Sequence, residues 1–78
     1  MFKIQTLNEI SEHGIRELTK HGCTVSPDIE RPEGILVRSA ELHDMEFNPE
    51  LLAIARAGAG YNNIPIEKCA EAGIVVFI

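Results

Sequence analysis

The chain has 78 residues, 45% of them hydrophobic and 24% charged, with a formal charge of −5. That composition is globular, which excludes disordered, collagenous and low-complexity classes, and the length holds one small domain. The acidic balance excludes the basic footprint of a nucleic-acid or anionic-membrane binder, and no apolar stretch approaches the roughly 20 residues of a membrane span.

The opening Met1-Phe2-Lys3-Ile4 has no long apolar core of the signal-peptide kind. Phe2 to Leu7 alternates apolar and polar residues over a strand's length, which predicts the first strand. Asn8 is placed to cap the helix that follows, in which Ile10, Ile15 and Leu18 recur at near-helical spacing and Gly22 supplies the stop. Cys23 to Ser26 reads as a short second strand, and Pro27 to Gly34, with two prolines and four charges, as a solvated loop. Gly34 to Ser39 is a continuous apolar run ending in Arg38 and Ser39, the pattern of a strand buried on both faces. Asn48-Pro49-Glu50 has the chemistry of a helix start: a capping side chain, a proline, then a carboxylate. Ala53 to Ala57 is ambiguous, because alanine favours helix while Gly58 and Gly60 end the run within a strand's length. Pro65 to Ala72 predicts a helix stopped by Gly73, and Ile74 to Ile78 is the most β-prone segment. Alternation of this kind means an α/β domain with a mainly parallel sheet and helices on both faces. No internal repeat is present, and a chain that stops within its last strand is expected to be part of a longer polypeptide.

Gly58-Ala59-Gly60-Tyr61-Asn62-Asn63 approaches a dinucleotide fingerprint, but Asn63 stands where the third glycine is needed and the sequence ends before an acidic ribose partner could appear. A loop whose bare backbone N–H groups meet an anion is the better reading of these glycines. Arg38 and Ser39 carry donors suited to phosphate or carboxylate, although an arginine at a strand end can equally face water. In open α/β sheets the ligand crevice lies beyond the carboxyl ends of the strands, where strand order switches. Asn8, Arg38-Ser39 and Gly58-Ala59-Gly60 all fall at such ends, and their convergence brings an anion site level with the solvent-facing reading. His13, His21 and His43 show no metal-ligand spacing with each other or with Cys23 and Cys69. The two cysteines read as packed free thiols of a reducing cytoplasm. Glu9, Glu12, Glu17 and Glu71 read as solvated helix faces, and no nucleophile–base arrangement is apparent.

Ile35 to Ala40, Ala55 to Ile64 and Ala72 to Phe77 together resemble the D-2-hydroxyacid dehydrogenases, and within them the phosphoglycerate dehydrogenases. The resemblance covers essentially the whole chain, and Arg38-Ser39 with the Gly58–Ile64 loop are its most specific parts. It implies the start of a substrate-binding domain, a flavodoxin-like open parallel sheet of order 2-1-3-4-5, with Ala53 to Ala57 as strand. Arg38 and Ser39 match the pair facing the substrate's phosphate. Ala59 and Gly60 match the loop whose N–H groups receive the carboxylate. Arg56 matches a recurrent supporting arginine, and Asn8 and Gly58 complete the supporting set. Family members continue with Asn-Thr-Pro where this chain has Ile78, and then with a nucleotide-binding domain carrying the NAD fingerprint and the catalytic arginine, glutamate and histidine. The resemblance therefore implies residues 1–78 as a partial substrate-binding domain, inactive alone. Its parent would oxidise 3-phosphoglycerate with NAD at the start of serine synthesis.

Two rival readings are a small flavodoxin- or receiver-like module and a non-catalytic association fragment. Leu7-Asn8 and Arg38-Ser39 stand where a receiver needs acids, and the Thr6–Ser11 stretch lacks a hydroxyl-rich phosphate loop. A small anionic substrate is the expected ligand. A second copy of the chain is the expected partner, through the uncharged last strand or the uncovered sheet face.

Overall fold

A computed structural model describes residues 2–58, 60 and 62–78. The elements run β1 (Lys3–Leu7), α1 (Glu12–Lys20), β2 (Thr24–Ser26), β3 (Gly34–Val37), β4 (Ala53–Arg56), α2 (Ile66–Glu71) and β5 (Val75–Phe77). The five strands form one sheet of order β2-β1-β3-β4-β5 in which every pair is parallel. This is the expected flavodoxin-like order.

The register shows why the sheet sits as it does. Gln5, Ile35, Ile54 and Val76 lie side by side across β1, β3, β4 and β5, and Leu7, Val37 and Arg56 share their face two residues on. On this face Ile35, Val37 and Ile54 pack with Leu42, Leu51, Ile64, Ile74 and Cys69 of α2 in one buried cluster. Chain moving from β1 to β2 and chain moving from β3 through β4 to β5 travel in opposite directions across the sheet. Right-handed crossovers then place α1 and α2 on opposite faces. The 38–52 crossover carries no helix and covers the core face with Leu42, Leu51, Met45 and Phe47. Cys69 is fully buried, and burial pushes its thiol pKa up, whereas Cys23 is half-buried.

Two local expectations are corrected. Asn8 does not cap α1; Ser11 does, its hydroxyl accepting from the His13 N–H at 3.2 Å. Asn8 instead adopts a left-handed backbone, φ 71°, which asparagine tolerates better than most residues. Asn48-Pro49-Glu50 opens no helix. The Leu51 N–H bonds the Asn48 carbonyl in a single turn, and the Asn48 carboxamide donates to the Pro32 carbonyl instead of capping. Leu51 is drawn into the core and the chain goes straight into β4, so burial of Leu51 and Ile54 outweighs local capping. Over Ala53 to Ala57, where alanine content leaves helix and strand open, the strand that the resemblance implies is present. Ala53–Arg56 is a central strand, because pairing on both sides satisfies its backbone and sets Ile54 on Ile35.

The Arg31 guanidinium pairs with the exposed Glu50 carboxylate, tying the 27–34 loop to the turn before β4, and holds that carboxyl below its usual range. With the folded-state pKa depressed, the tie is present at neutral pH and is lost as pH falls through that lowered value. Among the described residues no helix is long and apolar enough to cross a membrane, and no cluster of His, Cys, Asp or Glu is suited to a metal ion.

Candidate functional site

Parallel pairing puts the carboxyl ends of all five strands at one edge, and the winding reverses between β1 and β3. The loops after β1, β3 and β4 meet there. A cleft of about 400 Å³ opens at this edge, lined by Glu9, Ile10, Ser11, Arg38 and Ala57. Its position is the switch-point crevice that doubly wound sheets offer to ligands.

The turn after β3 is held from two sides. On one side the Asn8 Oδ1 accepts from the backbone N–H groups of Arg38, Ser39 and Ala40 at 3.3, 2.9 and 2.6 Å. Three converging amides make an anion-type nest, and here a neutral carboxamide oxygen of the protein fills it. On the other side the Asn63 Nδ2 donates to the carbonyls of Ala40 at 2.8 Å and Arg38 at 3.3 Å. With its backbone spoken for, the turn displays the Arg38 and Ser39 side chains, both residues being exposed.

Arg56 ends β4 beside Val37, and the next N–H, of Ala57, bonds the Val37 carbonyl at 2.8 Å. The half-buried Arg56 donates from Nε to the Asn63 Oδ1 at 3.0 Å. Gly58 has φ +130°, and a Cβ there would stand 3.3 Å from Arg56 Nη1. A side chain at Gly58 would therefore strain the backbone and crowd the guanidinium. Gly60 also has positive φ, +91°, and Ala59 lies outside the described residues. The site thus gathers two guanidinium groups and a hydroxyl at one edge of an acidic chain, a donor set matched to carboxylate and phosphate. Glu9 lines the same cleft and disfavours an anion seated too far toward β1.

Of the residues singled out from sequence, Asn8, Arg38, Ser39, Arg56 and Gly58 are brought together at this edge, and Gly60 lies in the loop that follows Gly58. Asn8 is present in a different role from the cap expected of it. Asn63 was passed over except as a missing glycine, yet its side chain joins the Arg56 strand to the Arg38 turn. The residues present do not fit a dinucleotide. Where the fingerprint needs a glycine for close helix packing, Asn63 has its carboxamide committed to three partners.

A larger groove of about 880 Å³, lined among others by His43, Ile64, Ile66 and Lys68, runs beside α2. Lys68 spends its ammonium on the Met45 carbonyl at 2.7 Å and over the Phe47 ring, so the groove offers fewer donors to an anion than the switch-point edge.

Comparison with known proteins bears on the family and the fold. Among curated proteins none matches the sequence. A solved structure, the cofactor (NAD+)-bound 3-phosphoglycerate dehydrogenase of Entamoeba histolytica, is 32% identical with a TM-score of 0.78, over 96% of this chain and 32% of that one. The chain thus spans about a third of that enzyme's length. The model of the D-isomer specific 2-hydroxyacid dehydrogenase catalytic domain matches residues 5–78. From the first strand to the last, then, through the switch-point turn and the glycine loop, this chain belongs to the D-isomer-specific 2-hydroxyacid dehydrogenases.

Proposed function

We propose that the chain is the substrate-holding part of an NAD-dependent dehydrogenase whose substrate is 3-phosphoglycerate, in the cytoplasmic route to serine. The observation that carries the reading is the Arg38-Ser39 pair, displayed from a pinned turn at the switch point, with Arg56 and the glycine loop alongside. 3-Phosphoglycerate carries an anionic group at each end. In this reading its phosphate meets the Arg38 guanidinium and Ser39 hydroxyl, and its carboxylate the Ala59–Gly60 loop, as the family resemblance implies. The name of the Entamoeba enzyme supports the choice of substrate within the family. The chain's own residues orient and neutralise the substrate. The oxidation, with NAD as acceptor, is assigned to no residue among them.

The test is a titration of isotopically labelled protein with 3-phosphoglycerate, with glycerate and inorganic phosphate as separate arms. Shifts at Arg38, Ser39 and Gly60 are expected, with 3-phosphoglycerate binding more tightly than either half. No response at these residues, or shifts confined to α1 and α2, would overturn the assignment.

Self-association forms a second part of the proposal. Val75 and Phe77 of edge strand β5 are 53% and 58% exposed, on the face opposite α2 and in register with Ala53 and Ala55 of β4. An uncharged edge strand with an open apolar face is a template for a second copy of itself. Sedimentation at tens of micromolar is expected to show a dimer or larger species, which Phe77→Lys returns to monomer. A wild-type monomer across that range would refute it.

A further inference from the structure

We infer that Asn63 is the positioning residue that ties the Arg56 guanidinium to the main chain of the Arg38 turn, an inference that rests on the anion-site reading above. Its carboxamide is used at both ends. Oδ1 accepts from Arg56 Nε at 3.0 Å, while Nδ2 donates to the Ala40 and Arg38 carbonyls at 2.8 and 3.3 Å. The reverse orientation would set oxygen against two carbonyls and NH₂ against an N–H, so only one orientation satisfies every partner. The Asn63 backbone carbonyl adds another tie, accepting from the Leu42 N–H at 2.8 Å. Asn63 is therefore anchored to the core-covering 38–52 crossover by main chain and to the site by side chain.

The consequence for the arginines is geometric. Arg56 comes from β4 and Arg38 from the turn after β3, 18 residues earlier in the chain. Their strands pair, but strand pairing orients no guanidinium. Asn63 holds Arg56 by its Nε, with Nη1 lying against Gly58, and the same carboxamide grips both carbonyls that flank Ser39. Asn8 takes the amides of that turn from the other side. A ligand at this edge then meets the Arg56 guanidinium already oriented and the main chain of the Arg38 turn already fixed, and has only the Arg38 side chain left to order. No other neutral side chain of this length offers an acceptor and two donors in one plane. Glycine, the residue a dinucleotide loop would carry here, offers none.

The test reads the Arg56 Nε–Hε signal and the Ser39 and Glu41 amides, which report on the carbonyls of Arg38 and Ala40. In Asn63→Ala the Arg56 signal is expected to move to the position and fast exchange of a solvated arginine, both amides to shift, and 3-phosphoglycerate to bind about tenfold more weakly. Asn63→Asp keeps an acceptor for Arg56 but faces the two carbonyls with oxygen. There the Arg56 signal is expected to persist while Ser39 and Glu41 move, a split that general loosening of the fold would not produce. An Arg56 signal unchanged in Asn63→Ala would overturn the inference. If Asn63→Ala does not fold, unmoved Ser39 and Glu41 amides in Asn63→Asp overturn it instead. A wild-type protein that ignores 3-phosphoglycerate refutes the substrate reading, while the unliganded Arg56 signal still decides the role of Asn63.

Discussion

Ile54→Ala is expected to unfold most of the protein at room temperature or to bring it close to that point. Ile54 is fully buried at the centre of the sheet, paired with Ile35 on one side and Val76 on the other. Removing its branched side chain forfeits the transfer free energy of the lost carbons and leaves a cavity, together about 2–5 kcal/mol. Typical stabilities of about 0.05–0.15 kcal/mol per residue leave a chain this size about 4–12 kcal/mol in all, and the modest share of surface that short chains bury argues for the low end. The void cannot collapse easily, because β4 is fixed by hydrogen bonds on both edges. Leu52→Ala, two positions earlier, is the control. Leu52 is 55% exposed, and its loss is expected to change stability by no more than about 0.5 kcal/mol. Thermal unfolding followed by circular dichroism separates the two, with a midpoint drop above about 10 °C for Ile54→Ala alone. Similar midpoints would show that the core is not centred on β4.

Arg38→Ala is expected to weaken 3-phosphoglycerate binding by about ten- to a hundredfold without lowering stability. A charge-assisted hydrogen bond contributes about 1.5–3 kcal/mol, which converts to that range. The substitution isolates the guanidinium cleanly, because the turn is held through the Arg38 backbone. Its N–H goes to Asn8 and its carbonyl to Asn63, and alanine preserves both. Ser39→Ala removes a neutral donor and is expected to cost only a few-fold. The pair of variants therefore ranks the contacts. Equal, small losses in both would mean that the phosphate is held elsewhere, and the glycine loop would be the next place to look.

The contrast between these two positions bears on what can be read from residues alone. Ile54 sits in an alanine-rich run whose local preference is helical, and nothing within Ala53 to Ala57 reveals that it is a central strand. Arg38 is easier to place: an apolar run that ends abruptly in donors reads as a buried strand emerging at the sheet's carboxyl edge. The residues that were misread share one property. Asn8 and Asn48 have the chemistry of helix caps, and capping is decided within three or four residues of chain. Both spend their carboxamides on partners far away in sequence, Asn8 on the turn after β3 and Asn48 on Pro32.

Legible in the residues are the alternation of strand and helix, the parallel sheet and the cluster of donors at the strand ends, while family resemblance adds the strand order and β4 as a strand. Hydrophobic periodicity, turn residues and the polar break after Val37 are local signals, and local signals survive in one dimension. Only the long-range contacts show that Asn8 does not cap α1, that Asn48 opens no helix, and that Asn63 ties Arg56 to the Arg38 turn. In each an asparagine carboxamide finds its partner 7 to 32 residues away in the chain. Long-range pairing satisfies backbone and carboxamide groups that propensity leaves open, and it is the larger free energy wherever the two conflict.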